Sequence, residues 1–345
     1  IPGLVSHPRL RPAFADRWWI MSLRKGTAMP QIFSREQIEG ALEGLDVVSA
    51  IEEGFVAYSQ GKVVVPPVGE LVFDNPPGDV HIKYGYIRGD EYFVIKVASG
   101  FYYNVKLGLP PADGLMLVFS QKTAQLECIL LDECHLTNVR TAAAGAVVAK
   151  YLAPSTVDRI GVFGAGVQGR MQIQALLPIV ACRDLIVWGV DQGELDAYCE
   201  AMAGHGLTID TTLNGDEIAA SCNLIVTATP SRTPLLRDDQ IREGTHITAM
   251  GSDTREKNEL EPAILGKADL VVADSIEQCR VRGEIFHALE AGVLTDGDAV
   301  ELGNVITDPA LRRTDDSQIT VADLTGVAVQ DIQISKAVYE VLTSA

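Results

Sequence analysis

The chain has 345 residues, enough for two domains, and its 47% hydrophobic and 21% charged content is that of a globular protein with a sizeable core. A formal net charge of -18 argues against a nucleic-acid partner, because a phosphate backbone would be repelled. Six cysteines without a C-x-x-C pair argue against a zinc site or disulfide frame, and lead us to expect reduced thiols in a cytoplasmic protein.

Residues 1–28 contain the run Trp18-Trp19-Ile20-Met21 between basic residues, shorter than a secretory apolar region. They read as an extension ahead of the folded chain, with a basic docking arm as the alternative. No stretch reaches the roughly 18 apolar residues of a membrane span, so no membrane partner is expected. From Ser34 to Ser59, the residues Ile38, Leu42, Val47, Ile51 and Phe55 recur at near-helical spacing and predict one or two amphipathic helices. After Pro66-Pro67, short apolar or alternating runs at 70–73, 80–87, 92–98, 115–119 and 126–131 predict antiparallel strands of one sheet. The alanine-rich segment 141–152, stopped by Pro154, predicts a helix linking two domains. Strands at 159–163, 185–190, 224–228, 246–250 and 269–273 then alternate with helices at 171–177 and 194–203. That alternation is the signature of a doubly wound parallel sheet, and a last helix at 335–342 is expected to return to the first domain. The fold class is therefore α/β: a Rossmann-type parallel sheet at 149–322 and a second α+β domain at 29–148, joined by 323–345.

The segment I-G-V-F-G-A-G-V-Q-G-R follows an apolar strand and opens a helix, and Gly164, Gly166 and Gly169 carry the G-x-G-x-x-G order. The first glycine permits the tight turn, the second lets a pyrophosphate approach the backbone, and the third lets helix and strand pack closely. With Ala165, Val167 and Gln168 between them, these residues predict a nicotinamide dinucleotide site whose phosphates meet the helix N-terminus. The second strand ends W-G-V-D-Q-G-E, and Asp191 stands at about the twenty-residue distance where an acid accepts the ribose 2′-hydroxyl. No Lys or Arg occurs from Asp184 to His205, so NAD is favoured over NADP. Asp191 can also lie past the strand end as a solvated loop residue, leaving Gly189 at the usual acidic position.

Beyond the glycine turn, L-T-N-V-R-T-A-A-A-G-A precedes it, and T-A-T-P-S, G-S-D-T-R-E-K-N-E-L and L-T-G-V-A-V-Q-D follow it. In these motifs and their order, the chain from Met29 onward resembles the ornithine cyclodeaminase/mu-crystallin family, which includes alanine dehydrogenases and imine reductases. The resemblance implies a homodimer whose first domain supplies substrate contacts and the dimer interface, with the cofactor held across a cleft by the second. It implies that Lys96, in F-V-I-K-V-A-S-G-F-Y, is the active-site lysine and that Asp253 is the catalytic aspartate. Arg140 and Thr141 match a pair beside the substrate carboxylate and the cofactor phosphate. Thr325 and Gly326 match a pair near the nicotinamide, and Thr227, Ala228 and Thr229 fall at the cofactor. A lysine in a closed cleft has a tunable pKa, and it can pair with a carboxylate or pass a proton.

This sequence departs from the family where an Arg after Pro-Pro clamps the substrate carboxylate, because Val68 stands there. In apparent exchange, H-I-K-Y-G-Y places His81 and Lys83 on one strand face. Two added basic groups suit a second carboxylate, so the expected reaction is NADH-dependent reduction of a small α-imino acid, with iminosuccinate to L-aspartate the sharpest form. The alternatives are that Lys83 merely replaces the arginine or faces solvent, that the chain is an ornithine cyclodeaminase or alanine dehydrogenase, or that it is a non-enzymatic mu-crystallin-like binder. Cys128, Cys134 and His135 lack a further ligand at metal spacing, and no metal site is expected. His205, His246 and His287 read as surface or hydrogen-bonded core residues.

Overall fold

The computed structural model describes residues 29–344, and the expected N-terminal extension lies outside them. The first part of the chain forms β1 (Gln31–Phe33), α1 (Arg35–Leu42), α2 (Val47–Ser59), β2 (Val63–Val64), β3 (Gly69–Asp74), β4 (Pro77–Ile87), β5 (Tyr92–Gly100), β6 (Ala112–Ser120) and β7 (Leu126–Leu130). The helical region is two helices because each has its own start: a Ser34–Gln37 capping box for α1 and the Asp46 carboxylate for α2. The strands form a sheet in the order β1-β7-β6-β5-β4-β2, with β3 on β4. Its pairings are antiparallel apart from β1, which the sequence pattern did not reveal and which adds parallel to β7.

Strand alternation sorts this sheet into two faces. Lys83 and Gly85 of β4, and Val94 and Lys96 of β5, are buried on the inner face, whereas Tyr84 and Tyr86 are exposed on the outer one. The linking helix α3 (His135–Leu152) starts more than a turn before the alanine-rich run, where the Asp132 carboxylate accepts the Leu136 N–H. Arg140 and Thr141 are therefore helical residues and do not belong to a lead-in loop.

The rest of the chain alternates as β8 (Ile160–Phe163), α4 (Val167–Leu176), β9 (Asp184–Trp188), α5 (Gln192–Ala201), β10 (Thr208–Thr212), α6 (Asp216–Ser221), β11 (Leu224–Thr227), β12 (His246–Ala249), α7 (Pro262–Lys267), β13 (Leu270–Ala273), α8 (Ile276–Cys279), α9 (Gly283–Glu290), β14 (Ala299–Glu301), α10 (Leu302–Thr307), β15 (Thr320–Asp323) and α11 (Ala328–Ser344). Its eight strands pair in parallel throughout, in the order β10-β9-β8-β11-β12-β15-β13-β14. The order reverses between β8 and β11, and that switch point opens a crevice at the carboxyl ends of the strands. The fold is thus a Rossmann-type doubly wound sheet with a second α+β unit.

One apolar core runs from the inner face of the mixed sheet through α2, α3 and α11 to the near face of the parallel sheet, and a second fills its far face. Helix α11 begins well before the predicted 335. Its residues Val329, Ile332, Ile334 and Val338 are fully buried, each stabilising the helix by roughly 1.5–3 kcal/mol. That packing returns the chain to the mixed sheet and sets the first turn of α11, including Asp331, against Lys96 and Arg140.

Candidate active site

The glycine turn sits at the switch point. Gly164 has φ +114, a backbone that L side chains rarely adopt, and its N–H donates to the Trp188 carbonyl at 3.0 Å. An added Cβ there would lie 2.7 Å from the Ala228 carbonyl oxygen, and one at Gly169 would collide with the Gly164 carbonyl. Gly166 is different, because a Cβ there meets nothing within 4 Å. It is the N-cap of α4, and no side chain caps that helix start. Uncapped N–H groups behind an open glycine fit an anionic pyrophosphate, so the residues present suit a dinucleotide.

The neighbouring candidates are used in different ways. Ala165 is buried and Val167 half exposed, while the Gln168 amide donates to the Asn138 carbonyl and side-chain oxygens. Strand β9 ends at Trp188, so Asp191 lies past the strand as the N-cap of α5, where its carboxylate accepts the Glu194 N–H at 3.0 Å. The hydroxyls of Thr227 and Thr229 are both held by the buried Glu259 carboxylate, and Ala228 continues the strand by donating to the Phe163 carbonyl.

Between the sheets lies a cavity of about 310 Å³ that brings together His81, Lys83, Lys96, Arg140, Thr141, Gln168, Asp253, Thr325 and Gly326. The residues from Gly164 to Val167, together with Gly169, Asp191 and Thr227 to Thr229, are not among its lining. Lys83 is not at the solvent: it is 7% exposed, and its ammonium donates to the carbonyls of Gly326 at 2.5 Å and Thr325 at 3.3 Å. The Thr325 hydroxyl and the Gly326 N–H in turn donate to Asp274. Thr141 donates its hydroxyl to the Thr137 carbonyl at 2.8 Å. His81 Nε2 stands 2.9 Å from Glu70 Oε1 across the β3–β4 pair, close enough for an ion pair but without hydrogen-bond alignment.

Sequence reasoning gave no role to the carboxylate that organises the cations. Asp331 Oδ1 lies 3.1 Å from both Lys96 Nζ and Arg140 Nε, and Arg140 Nη1 donates to Gln330 Oε1 at 2.9 Å. Both acceptors sit in the quoted V-Q-D motif, so the signal was present, but nothing in spacing links it to a lysine in β5. Lys257, also on the cavity wall, donates to Asp253 Oδ1 at 2.5 Å.

These contacts set the charges. Burial lowers the Lys83 pKa to about 7, with the neighbouring Lys96 and Arg140 pushing the same way against Asp331 and Asp253. Burial also lowers Lys96, although Asp331 opposes it. Enclosure works against charge on Asp331, but Lys96, Arg140 and Lys83 outweigh it and hold the carboxyl below its usual range. Asp253 behaves likewise, its enclosure overcome chiefly by Lys257. Of the other histidines, His246 is buried between the hydroxyls of Thr320 and Thr248, and burial pushes it down to about 3. His287 meets the Lys257 carbonyl, and His205 meets Gln174. Among the described residues, no group of three or more His, Cys, Asp or Glu could hold a metal ion, and no helix is long and apolar enough to cross a membrane.

The chain belongs to the ornithine cyclodeaminase/mu-crystallin family, whose model matches residues 29–345. It is 40% identical to an uncharacterized cyclodeaminase of Sinorhizobium fredii over 86% of this chain and 90% of that one. It is 34% identical to an alanine dehydrogenase of Archaeoglobus fulgidus, over 90% and 94% of the two chains, and 31% identical to an iminosuccinate reductase of Paracoccus denitrificans, over 90% and 95%. Among solved structures, it resembles an archaeal alanine dehydrogenase dimer with bound NAD (32% identity, TM-score 0.82, 91% and 96% covered). It also resembles a Thermococcus litoralis Delta(1)-pyrroline-2-carboxylate reductase in complex with NADH and L-proline (27% identity, TM-score 0.84, 91% and 98% covered).

Proposed function

We propose that this protein binds NAD(H) and interconverts a small α-imino acid and an L-amino acid, and that its substrate is the dicarboxylate iminosuccinate, reduced to L-aspartate. One observation carries the dicarboxylate. Three buried cations line the cavity, yet among the described residues a carboxylate contacts only two of them, Lys96 and Arg140. Lys83 is held by carbonyls alone, so a second substrate carboxylate is the group that completes its pairing. The 31% identity to an iminosuccinate reductase supports the same reading.

Bound at the glycine turn, NADH supplies the hydride, and everything else falls to the chain's own groups. Lys96 and Arg140 orient the α-carboxylate, a service best given by groups already fixed in place. Asp253, kept ionised by Lys257, holds the proton on the substrate nitrogen and stabilises its positive charge. Lys83 with His81 meets the distal carboxylate. Thr325 and Gly326, anchored by Asp274, fix the Lys83 ammonium through their carbonyls.

The outer face of the mixed sheet exposes Leu71, Phe73, Tyr84 and Tyr86. A second copy of the chain covers it in our reading, consistent with the dimer of the archaeal relative.

Loss of NADH absorbance with oxaloacetate plus ammonia, compared with pyruvate plus ammonia, tests the substrate. A kcat/KM for the dicarboxylate no higher than for pyruvate sinks it. The 40% relative and the carboxylate of Asp79 on the same cavity wall favour a second reading, cyclodeamination of an amino acid with a distal amine. Ammonia released from ornithine without net change in NADH is its signature.

A further inference from the structure

We infer that Asp331 is the positioning residue of the substrate-binding cations: one oxygen of its carboxylate clamps Lys96 of β5 and Arg140 of α3 into a single arrangement before the substrate arrives. The inference rests on the imino-acid reading above and deepens it.

The three side chains come from three separately anchored elements and meet out of solvent, with Asp331 1%, Lys96 2% and Arg140 5% exposed. Both cations reach the same atom, Oδ1, at 3.1 Å. Gln330, one residue earlier on α11, takes the Arg140 Nη1, so two consecutive residues fix the guanidinium plane. These contacts use the Nε and Nη1 donors of Arg140, and one of the three N–H donors of Lys96, leaving the remainder for a substrate carboxylate.

Comparison with two other buried carboxylates, Glu259 and Glu284, separates this role from plain structural support. Glu259 accepts at both oxygens, from Thr227 and Gly251 at one and Thr229 at the other. Glu284 also accepts at both, from Ser252 and Glu259 at one and Leu260 at the other. Asp331 Oδ2 is buried with no hydrogen-bond partner, so the carboxylate is placed for the two cations and does not serve the backbone.

The charge has a second consequence. Lys96 is faced by Lys83 from β4, Arg140 from α3, Asp331 from α11, and Cys134 and Asp132 ahead of α3; Lys83 also sees Asp253 and Asp274. Removing the Asp331 charge takes away the counter-ion that holds the proton on Lys96 and leaves Arg140 acting against it. Its proton is then lost at lower pH.

The test compares pH profiles of kcat/KM, and calorimetric binding of succinate as an unreactive dicarboxylate, in the wild type, Asp331→Asn and Asp331→Glu. Asp331→Asn is expected to move the basic limb down by roughly one pH unit or more, and to weaken succinate binding at about pH 8 by roughly tenfold. Asp331→Glu keeps the charge but displaces both cations, so the limb stays in place while kcat/KM falls about tenfold. An unmoved limb and a kcat/KM within about threefold of wild type in Asp331→Asn overturn the inference. If that variant does not fold, a kcat/KM within about threefold of wild type in Asp331→Glu does the same. A wild type that turns over no imino acid sinks the proposed function instead, and succinate binding in the variants then still reads the role of Asp331.

Discussion

Lys83 and Lys96 face each other directly across the β4–β5 pairing, with both ammonium groups buried on the same side of the sheet. Like charges in that relationship destabilise a sheet, and burial adds to the cost. Burial first, and the facing Lys96 second, push the Lys83 pKa down to about 7, and burial lowers Lys96 as well.

The sign of the resulting pH dependence follows from proton counting. Between about pH 7 and the ordinary lysine value of 10.5, folded Lys83 has lost its proton while the unfolded chain keeps it. Stability from this group therefore rises with pH across that window, by at most about 1.4 kcal/mol per pH unit. Lys83→Met lacks the effect. Its stability advantage over wild type is expected to be largest at about pH 7 and to shrink toward about pH 9.5 in urea denaturation. A difference that stays constant over this range would show that Lys83 keeps its proton when buried.

The glycines of the dinucleotide turn separate folding from binding. A methyl group on Gly169 meets the Gly164 backbone, so Gly169→Ala is expected to destabilise by roughly 1–3 kcal/mol and to lose NADH binding with it. One on Gly166 enters open space. Gly166→Ala should melt like wild type, within about 0.5 kcal/mol, yet bind NADH about tenfold more weakly by fluorescence titration. Unchanged binding would mean that the phosphates lie elsewhere.

Asp191 carries two expectations at once. As the N-cap of α5 its loss in Asp191→Ala costs about 1 kcal/mol of stability. A ribose contact adds a second effect, a narrowed preference for NADH over NADPH measured as the ratio of Kd values. Asp191→Asn keeps the cap and should still narrow that ratio. If both variants leave the ratio at the wild-type value, Asp191 is only a cap.

Much of the architecture was legible because it is written in local pattern. The glycine order of the turn, the period-two placement of His81 and Lys83, and the parallel strands at 160–163 and 224–227 are short-range signals. Strand β10 escaped because Thr-Ile-Asp-Thr-Thr is a polar edge strand, and β15 because Thr-Val-Ala-Asp has only two apolar residues although all four are buried. The starts of α3 and α11 were missed for one reason: each places a buried polar residue, Arg140 or Asp331, on a helix face that periodicity assigns to the core. Asp331 and Lys96 meet only through tertiary packing, which no spacing rule encodes.

The chain crosses between its two sheets twice, once along α3 and once along the link between β15 and α11. Any rotation that widens the cleft must turn about the line through those crossings, as a door turns on two pins. Arg140 and Thr141 sit on one pin, and Thr325 and Gly326 on the other. The groups that meet Lys83 and Asp331 therefore stand at the crossings, whereas Asp253 follows β12 and belongs to the parallel-sheet side alone. On the proposed function, the cations that meet the substrate carboxylates and the carboxylate that meets its nitrogen therefore come from different sides of the cavity.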